Sequence, residues 1–158
     1  MRRFVLLGLL VAVALPAGAA GSAKRIAAGS GISVVLPTGW RLVDRSITEC
    51  SDPAQRLLAT TARGKLSRRY PVPARAALVL LMETGNGRFP PRPARFHLPR
   101  RLVGTLGGCC EIQYGPGVEL IFRDHGRKFY AFVYVGRRSG ERQRTLALLN
   151  SLRISASR

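Results

Sequence analysis

Seven consecutive apolar residues, Ala76 to Met82, constrain this chain more than any other stretch. A short run that is apolar at successive positions is the mark of a central strand. It is far short of the roughly 20 apolar residues a bilayer span needs. Thr84-Gly85-Asn86-Gly87 supplies the turn that ends it. A central strand needs neighbours, and candidates lie on both sides in sequence. Ile32 to Leu36 reads as a first strand stopped by Pro37, and Trp40 to Val43 resumes as a second after the Pro37-Thr38-Gly39 turn. Asp52-Pro53 has the form of a single helical turn, Asp as N-cap and Pro at the first position. Gln55 to Thr61 favours a strand through Leu57, Leu58 and its Thr pair.

The C-terminal half is more regular. Cys110 to Tyr114, Val118 to Phe122 and Lys128 to Val135 are short alternating runs joined by Gly115-Pro116-Gly117 and Asp124-His125-Gly126. Connections this short predict a β-meander. Leu102-Val103-Gly104 is a further candidate strand, and Arg88 to Pro99, with four prolines, is expected to be extended without joining the sheet. Ser139 is an acceptable N-cap and Glu141 complements a positive helix start. Leu146, Leu149 and Leu152, with Leu148 beside them, predict an amphipathic helix of about 12 residues ending near Ile154. The expected fold class is α+β: an antiparallel sheet of about five to seven strands packed by a C-terminal helix. At 158 residues the chain suits one domain, expected over residues 32–155, with residues 24–31 as a flexible lead-in.

Residues 1–23 read as a secretory signal. Arg2 and Arg3 form a positive start, Phe4 to Leu15 is uncharged and apolar, and Pro16 breaks the run. Ala17-Gly18-Ala19 places small residues for cleavage after Ala19, and Gly21-Ser22-Ala23 offers an alternative cut after Ala23. An uncleaved N-terminal anchor is the competing reading, and a twin-arginine signal is disfavoured by the very short charged start. The expected location is extracytoplasmic, in the cell envelope or beyond it.

The charge is heavily skewed: 26 Lys and Arg against 8 Asp and Glu, a formal +18. Losing Arg2 and Arg3 with the signal trims this to +16 (18 less 2). Arg63, Lys65, Arg68, Arg69 and Arg75 fall in one acid-free run, with Tyr70 among them. Arg88, Arg92, Arg95, Arg100 and Arg101 fall in a second, with Phe89, Phe96 and His97. Arg137, Arg138, Arg142 and Arg144 make a third cluster. Arg binds phosphate and carboxylate bidentately and interleaved aromatics can stack, so these runs are candidate anion-binding residues. Outside the cytoplasm the expected partner is an anionic envelope polymer or lipid surface rather than a specific nucleic acid. The plainer reading is a solvated basic surface, or an interaction or accessory module.

Export permits disulfides. Cys50 paired with Cys109 or Cys110 would close a loop of about 60 residues. Adjacent cysteines on a strand point to opposite faces, so one of Cys109 and Cys110 would be left over. Three free thiols, or a metal or redox role, are the alternatives. His97 and His125 are the two histidines, at no zinc-motif spacing, and there is no Cys-x-x-Cys. No cofactor or metal is expected. No nucleophile, carboxylate-pair or hydrolase motif stands out, so the enzyme reading leans negative, with a novel site near His97 or His125 as its remaining form. Trp40 reads as core, and Tyr114, Tyr130 and Tyr134 as packing on a sheet face.

Two stretches together carry a family resemblance. Ile32 to Trp40 is a strand ending in a Pro-x-Gly-Trp turn, and Lys128 to Ile154 is a long strand followed by a helix containing Leu148-Leu149-Asn150-Ser151-Leu152. Together they resemble the Mog1/PsbP-like superfamily. The resemblance spans both ends of the mature chain and leaves Arg63 to Tyr114 unmatched. It implies an antiparallel sheet packed by helices, and no shared catalytic residue or common activity.

Overall fold

The computed structural model describes residues 24–48, 50–64, 66, 72–102, 104–105 and 116–156. Residues 1–23, expected to be a signal, Lys65, Arg68, Arg69, Cys109, Cys110 and the expected strand from Cys110 to Tyr114 lie outside the described residues. Two antiparallel sheets and one helix follow in chain order. The strands are β1 (Arg25–Gly29), β2 (Ile32–Val35), β3 (Arg41–Leu42), β4 (Ala54–Thr60), β5 (Leu78–Thr84), β6 (Gly104–Thr105), β7 (Pro116–Asp124) and β8 (Arg127–Tyr134). They are followed by α1 (Glu141–Ser151) and β9 (Arg153–Ile154). The small sheet runs β1-β2-β9 and the large one β3-β4-β5-β8-β7-β6. The fold class is α+β, and β5 is central, held between β4 and β8.

Alternation along the strands sorts the large sheet's side chains onto two faces. Leu57, Val79, Leu81, Phe122, Phe129, Ala131 and Val133 point one way. There they meet β2 (Ile32, Val34), α1 (Leu148, Leu149), Leu152 and Ile154. Leu58, Leu78, Leu80, Met82 and Tyr134 point the other way. That second face is covered by loop residues Ile47, Ala62, Leu66, Val72 and Ala76. This is why Ala76 to Met82 can be apolar throughout: each face of β5 has a cover. Fully burying an aromatic or aliphatic side chain such as Phe122 or Leu81 contributes roughly 2–3 kcal/mol.

Four local expectations are corrected. The lead-in contains β1, whose Arg25, Ile26 and Ala27 pair with Val35, Val34 and Ser33. A tight turn at Gly29, Ser30 and Gly31, with φ of +87°, +48° and +71°, makes that hairpin. The Ala/Gly composition hid the strand because it offers no apolar alternation, and backbone pairing does not need one. Asp52-Pro53 does not open a helix: residues 51–53 turn straight into β4. Asp52 instead accepts from Gly85 N (3.3 Å) and Asn86 Nδ2 (2.7 Å), tying the start of β4 to the turn after β5.

Ser139 does not cap α1. Gly140 is the N-cap residue, in a left-handed conformation with no side-chain cap bond. The helix stops at Ser151, short of Ile154, because Leu152 is extended and Arg153 and Ile154 pair with Ser33 and Ile32 of β2. Trp40 is core, and its Nε1 donates to Glu141 Oε1 at 3.0 Å.

The proline-rich segment is extended, as its composition predicts. It wraps the edge of β7. Arg92 N donates to Arg123 O (2.8 Å) and Arg123 N to Pro90 O (2.7 Å). Phe89 lies edge-on against Tyr130 on one face, while Phe96 reaches Phe122 on the other. A sheet edge exposed to other strands is a hazard, and a proline-rich cover blunts it.

Candidate functional site

Three acids of this basic chain, Glu83, Asp124 and Glu141, are held in ion pairs within the fold. Glu83 on β5 accepts Arg127 Nε (2.7 Å) and Nη2 (2.8 Å) in a bidentate pair, and Arg56 Nε (2.7 Å) as well. Antiparallel register places Glu83 opposite Ala54 on β4 and Phe129 on β8, so guanidiniums from both flanking strands converge on it. Arg127 is buried and also donates to Ser30 O (2.8 Å) and Ser155 O (3.2 Å). It therefore fastens β8 to the β1–β2 turn and to the chain after β9. The Arg127 hydrogen bonds hold the Glu83 carboxyl below its usual range; burial opposes this and Arg56 adds to it. Glu83 in turn raises Arg127.

Two clefts flank this network, one of about 360 Å³ lined by Ser30, Gly31 and Ser155, the other of about 400 Å³ lined by Asp52, Gly85 and Lys128. A carboxylate already saturated by two guanidiniums is a poor proton acceptor, so the chemistry here is structural cross-linking rather than acid–base catalysis.

Asp124 pairs with Arg92 Nη1 at 2.9 Å and with His125 Nδ1 at 2.7 Å. Glu141 is 1% exposed and binds both Trp40 and Arg144 Nη2 (3.0 Å). Asp44 and Glu119 are exposed. Burial nonetheless raises the Glu119 carboxyl above its ordinary value. Its backbone lies on β7 opposite Phe132, and the apolar surroundings are the physical cause.

The predicted anion-binding arginines divide. Arg92 is an internal strut: besides Asp124 it donates to Leu152 O (2.9 Å) and lies over the Phe96 ring. Arg63, Arg75, Arg88, Arg95, Arg100 and Arg101 are exposed, and no ion pair engages them among the described residues. Among the described residues, the two basic runs have different anchors. The first is anchored on the second face through Ala62, Leu66 and Val72, the other on the helix-bearing face through Phe96 and Leu98.

What the structure brings together instead is the third cluster with parts of both. Arg137 N donates to Ala74 O at 2.9 Å, which sets Arg75 beside Arg137 and Arg138. Gly136 permits this approach, since a Cβ there would fall 2.2 Å from Ala76 O. At the other end of the same segment, Arg142 Nη2 donates to Pro99 O (2.6 Å) and to Leu98 O, adjoining Arg100 and Arg101. Residues 136–142 thus bridge the two loops, forming an arc of Arg75, Arg137, Arg138, Arg142, Arg100 and Arg101. Its acid, Glu141, is buried beneath it. The sequence showed all three clusters but not their union, which depends on hydrogen bonds between distant segments: Arg137 N to Ala74 O, and the Arg142 side chain to carbonyls 43 and 44 positions away.

His97 is exposed, His125 is 59% exposed on the β7–β8 turn, and neither lines the clefts described above. Among the described residues no three His, Cys, Asp or Glu side chains converge as metal ligands. Cys50 is not a free thiol, and Cys109 and Cys110, expected to supply its partner, lie outside the described residues. No helix among the described residues is long and apolar enough to cross a membrane. No family model, curated protein or solved structure matches the chain.

Proposed function

We propose that this chain is an exported, non-enzymatic α+β domain that binds an anionic component of the cell envelope. The observation that carries the reading is the arginine arc. Arg75, Arg100, Arg101, Arg137 and Arg138 are exposed, while Glu83, Asp124 and Glu141 are consumed in internal pairs. Exposed arginines without a paired carboxylate keep their potential for an outside partner. Arg suits phosphate and carboxylate groups through its planar, bidentate geometry. The positive start, apolar run and small-residue cleavage pattern of residues 1–23 support export. The proposed disulfide from Cys50 to Cys109 or Cys110 would accord with an oxidising location. The Pro37-to-Trp40 turn and the order of β8 then α1 support placing the fold with the Mog1/PsbP-like superfamily.

The deciding experiment measures retention of the protein on an immobilised soluble polyanion and on phosphatidylglycerol vesicles as salt is raised. Coulombic binding falls steeply over a few hundred millimolar because exposed charges are screened within about 10 Å at 0.1 M salt. Arg75→Ser with Arg137→Ser and Arg138→Ser should weaken retention on both. Absence of retention on either matrix at low salt would sink the reading.

A further inference from the structure

Among the described residues, the loops cover only part of the second face of the large sheet. Loop residues Ile47, Ala62, Leu66, Val72 and Ala76 lie over β4 and β5. On the β8 and β7 half the outward row is Tyr130, Phe132, Ile121, Arg123, Lys128 and Glu119, by strand alternation. Ile121 is 44% exposed, the most exposed large apolar side chain among the described residues. It stands opposite Tyr130 in register. Tyr130 and Phe132 are half-buried with nearly parallel rings (centroids 6.2 Å apart, 13° between planes), and Phe89 packs edge-on against Tyr130 at 4.9 Å.

Charge frames this apolar row at one end. Arg123 and Lys128 are directly opposed across β7 and β8, on the same face. Like charges so placed repel, and an anion between them relieves the repulsion. Lys128 Nζ meets Gly85 O at 2.8 Å, whereas Arg123 is exposed; Arg88, next to Phe89 in the chain, is exposed as well.

We infer that this outer face of β7 and β8 docks on an anionic lipid bilayer, with Ile121, Tyr130 and Phe132 entering the interface and Arg88, Arg123 and Lys128 meeting the headgroups. The inference rests on the reading of an anionic envelope partner, names lipid as that partner, and adds to the arginine arc a second face that meets it. The aliphatic centre selects lipid over a hydrated polyanion. Ile121 gains by leaving water for the acyl boundary, and it has no ring face to offer a sugar or a base. Half-buried aromatic rings beside it suit the headgroup layer. Glu119, opposite Phe132, sits at the far end of the row from the cation pair, and its carboxylate opposes docking.

The chain has one tryptophan, Trp40, and it is buried. An Ile121→Trp variant of the full chain therefore carries a reporter of this face, whatever other segment also meets the vesicle. Phosphatidylglycerol vesicles are expected to shift its emission to the blue, and lipids brominated in the acyl chain to quench it. Neutral phosphatidylcholine vesicles should do neither, and salt should reverse the shift. Arg123→Ser in the same background should raise the vesicle concentration at half-shift about fivefold; an unchanged half-point overturns the headgroup assignment. A chain that still sediments with vesicles in a salt-dependent way while the indole at position 121 stays hydrated overturns this face and keeps the anion reading. A shift produced by soluble polyanion but not by vesicles makes the occupant a polymer and overturns the lipid assignment. Retention on neither probe removes both readings.

Discussion

Replacing Glu83 by glutamine removes the negative charge that faces Arg127 and Arg56 while keeping the side chain's shape. Three charge-assisted hydrogen bonds of 2.7, 2.8 and 2.7 Å end on that carboxylate. The glutamine carbonyl can keep one of the Arg127 bonds, but its amide nitrogen turns a donor toward a donor. Arg127 stays buried, held by Ser30 O and Ser155 O without a counter-charge. Arg56 is about one-third exposed, so solvent screens its share. Counting chiefly the Arg127 bonds, the expected loss is about 2–3 kcal/mol near neutral pH. For a domain of this size that lowers Tm by roughly 6–10 °C.

The pH dependence carries its own sign. Glu83 is depressed chiefly by the Arg127 hydrogen bonds, so its stabilisation is complete above the unfolded carboxyl pKa of about 4.3. It is lost as the pH falls through the lower folded value. Glutamine does not titrate. Parallel thermal melts from pH 7 downward should therefore show the gap between the two proteins closing in acid. A neutral-pH gap below about 1 kcal/mol, or one that stays constant into acid, would refute the assignment of this network as a main cross-link between the sheets.

Other perturbations test separate parts of the fold. Trp40→Phe keeps an aromatic ring, though a smaller one, and removes the donor to buried Glu141, and should cost about 1–3 kcal/mol in chemical denaturation. Phe122→Ala opens a cavity between Phe96 and Phe129 and should cost about 3–5 kcal/mol by the same measurement. Gly31→Ala combines a φ of +71° with a Cβ that would fall 2.1 Å from Ser155 Oγ; hydrogen exchange should show β1 and β9 opening more readily, with a loss of about 1 kcal/mol or more.

The legible parts of this chain were those governed by period and punctuation. Ala76 to Met82, Lys128 to Val135 and the C-terminal leucines each declare an element through local pattern, and each forms close to its expected place. Pattern failed where pairing substitutes for hydrophobicity. The Ala/Gly segment at Arg25–Gly29 becomes a strand only because β2 lies beside it. Capping chemistry misled at Ser139, since Gly140 takes the N-cap position; Glu141 does stand in the first turn, and its carboxylate also meets Trp40, 101 positions away in the chain.

The arginines show the same division. Composition by itself determined that the surface would be positive, because 26 bases cannot be neutralised by 8 acids in any fold. Which arginines remain available was a tertiary matter. Arg92 and Arg127 were drawn into internal pairs, while Arg75, Arg137, Arg100 and Arg101 were gathered by hydrogen bonds between distant segments. Charge is a sum over residues and can be read from a sequence. Its distribution is set by which carboxylates the strand register carries inward, and that register exists only once the chain has folded.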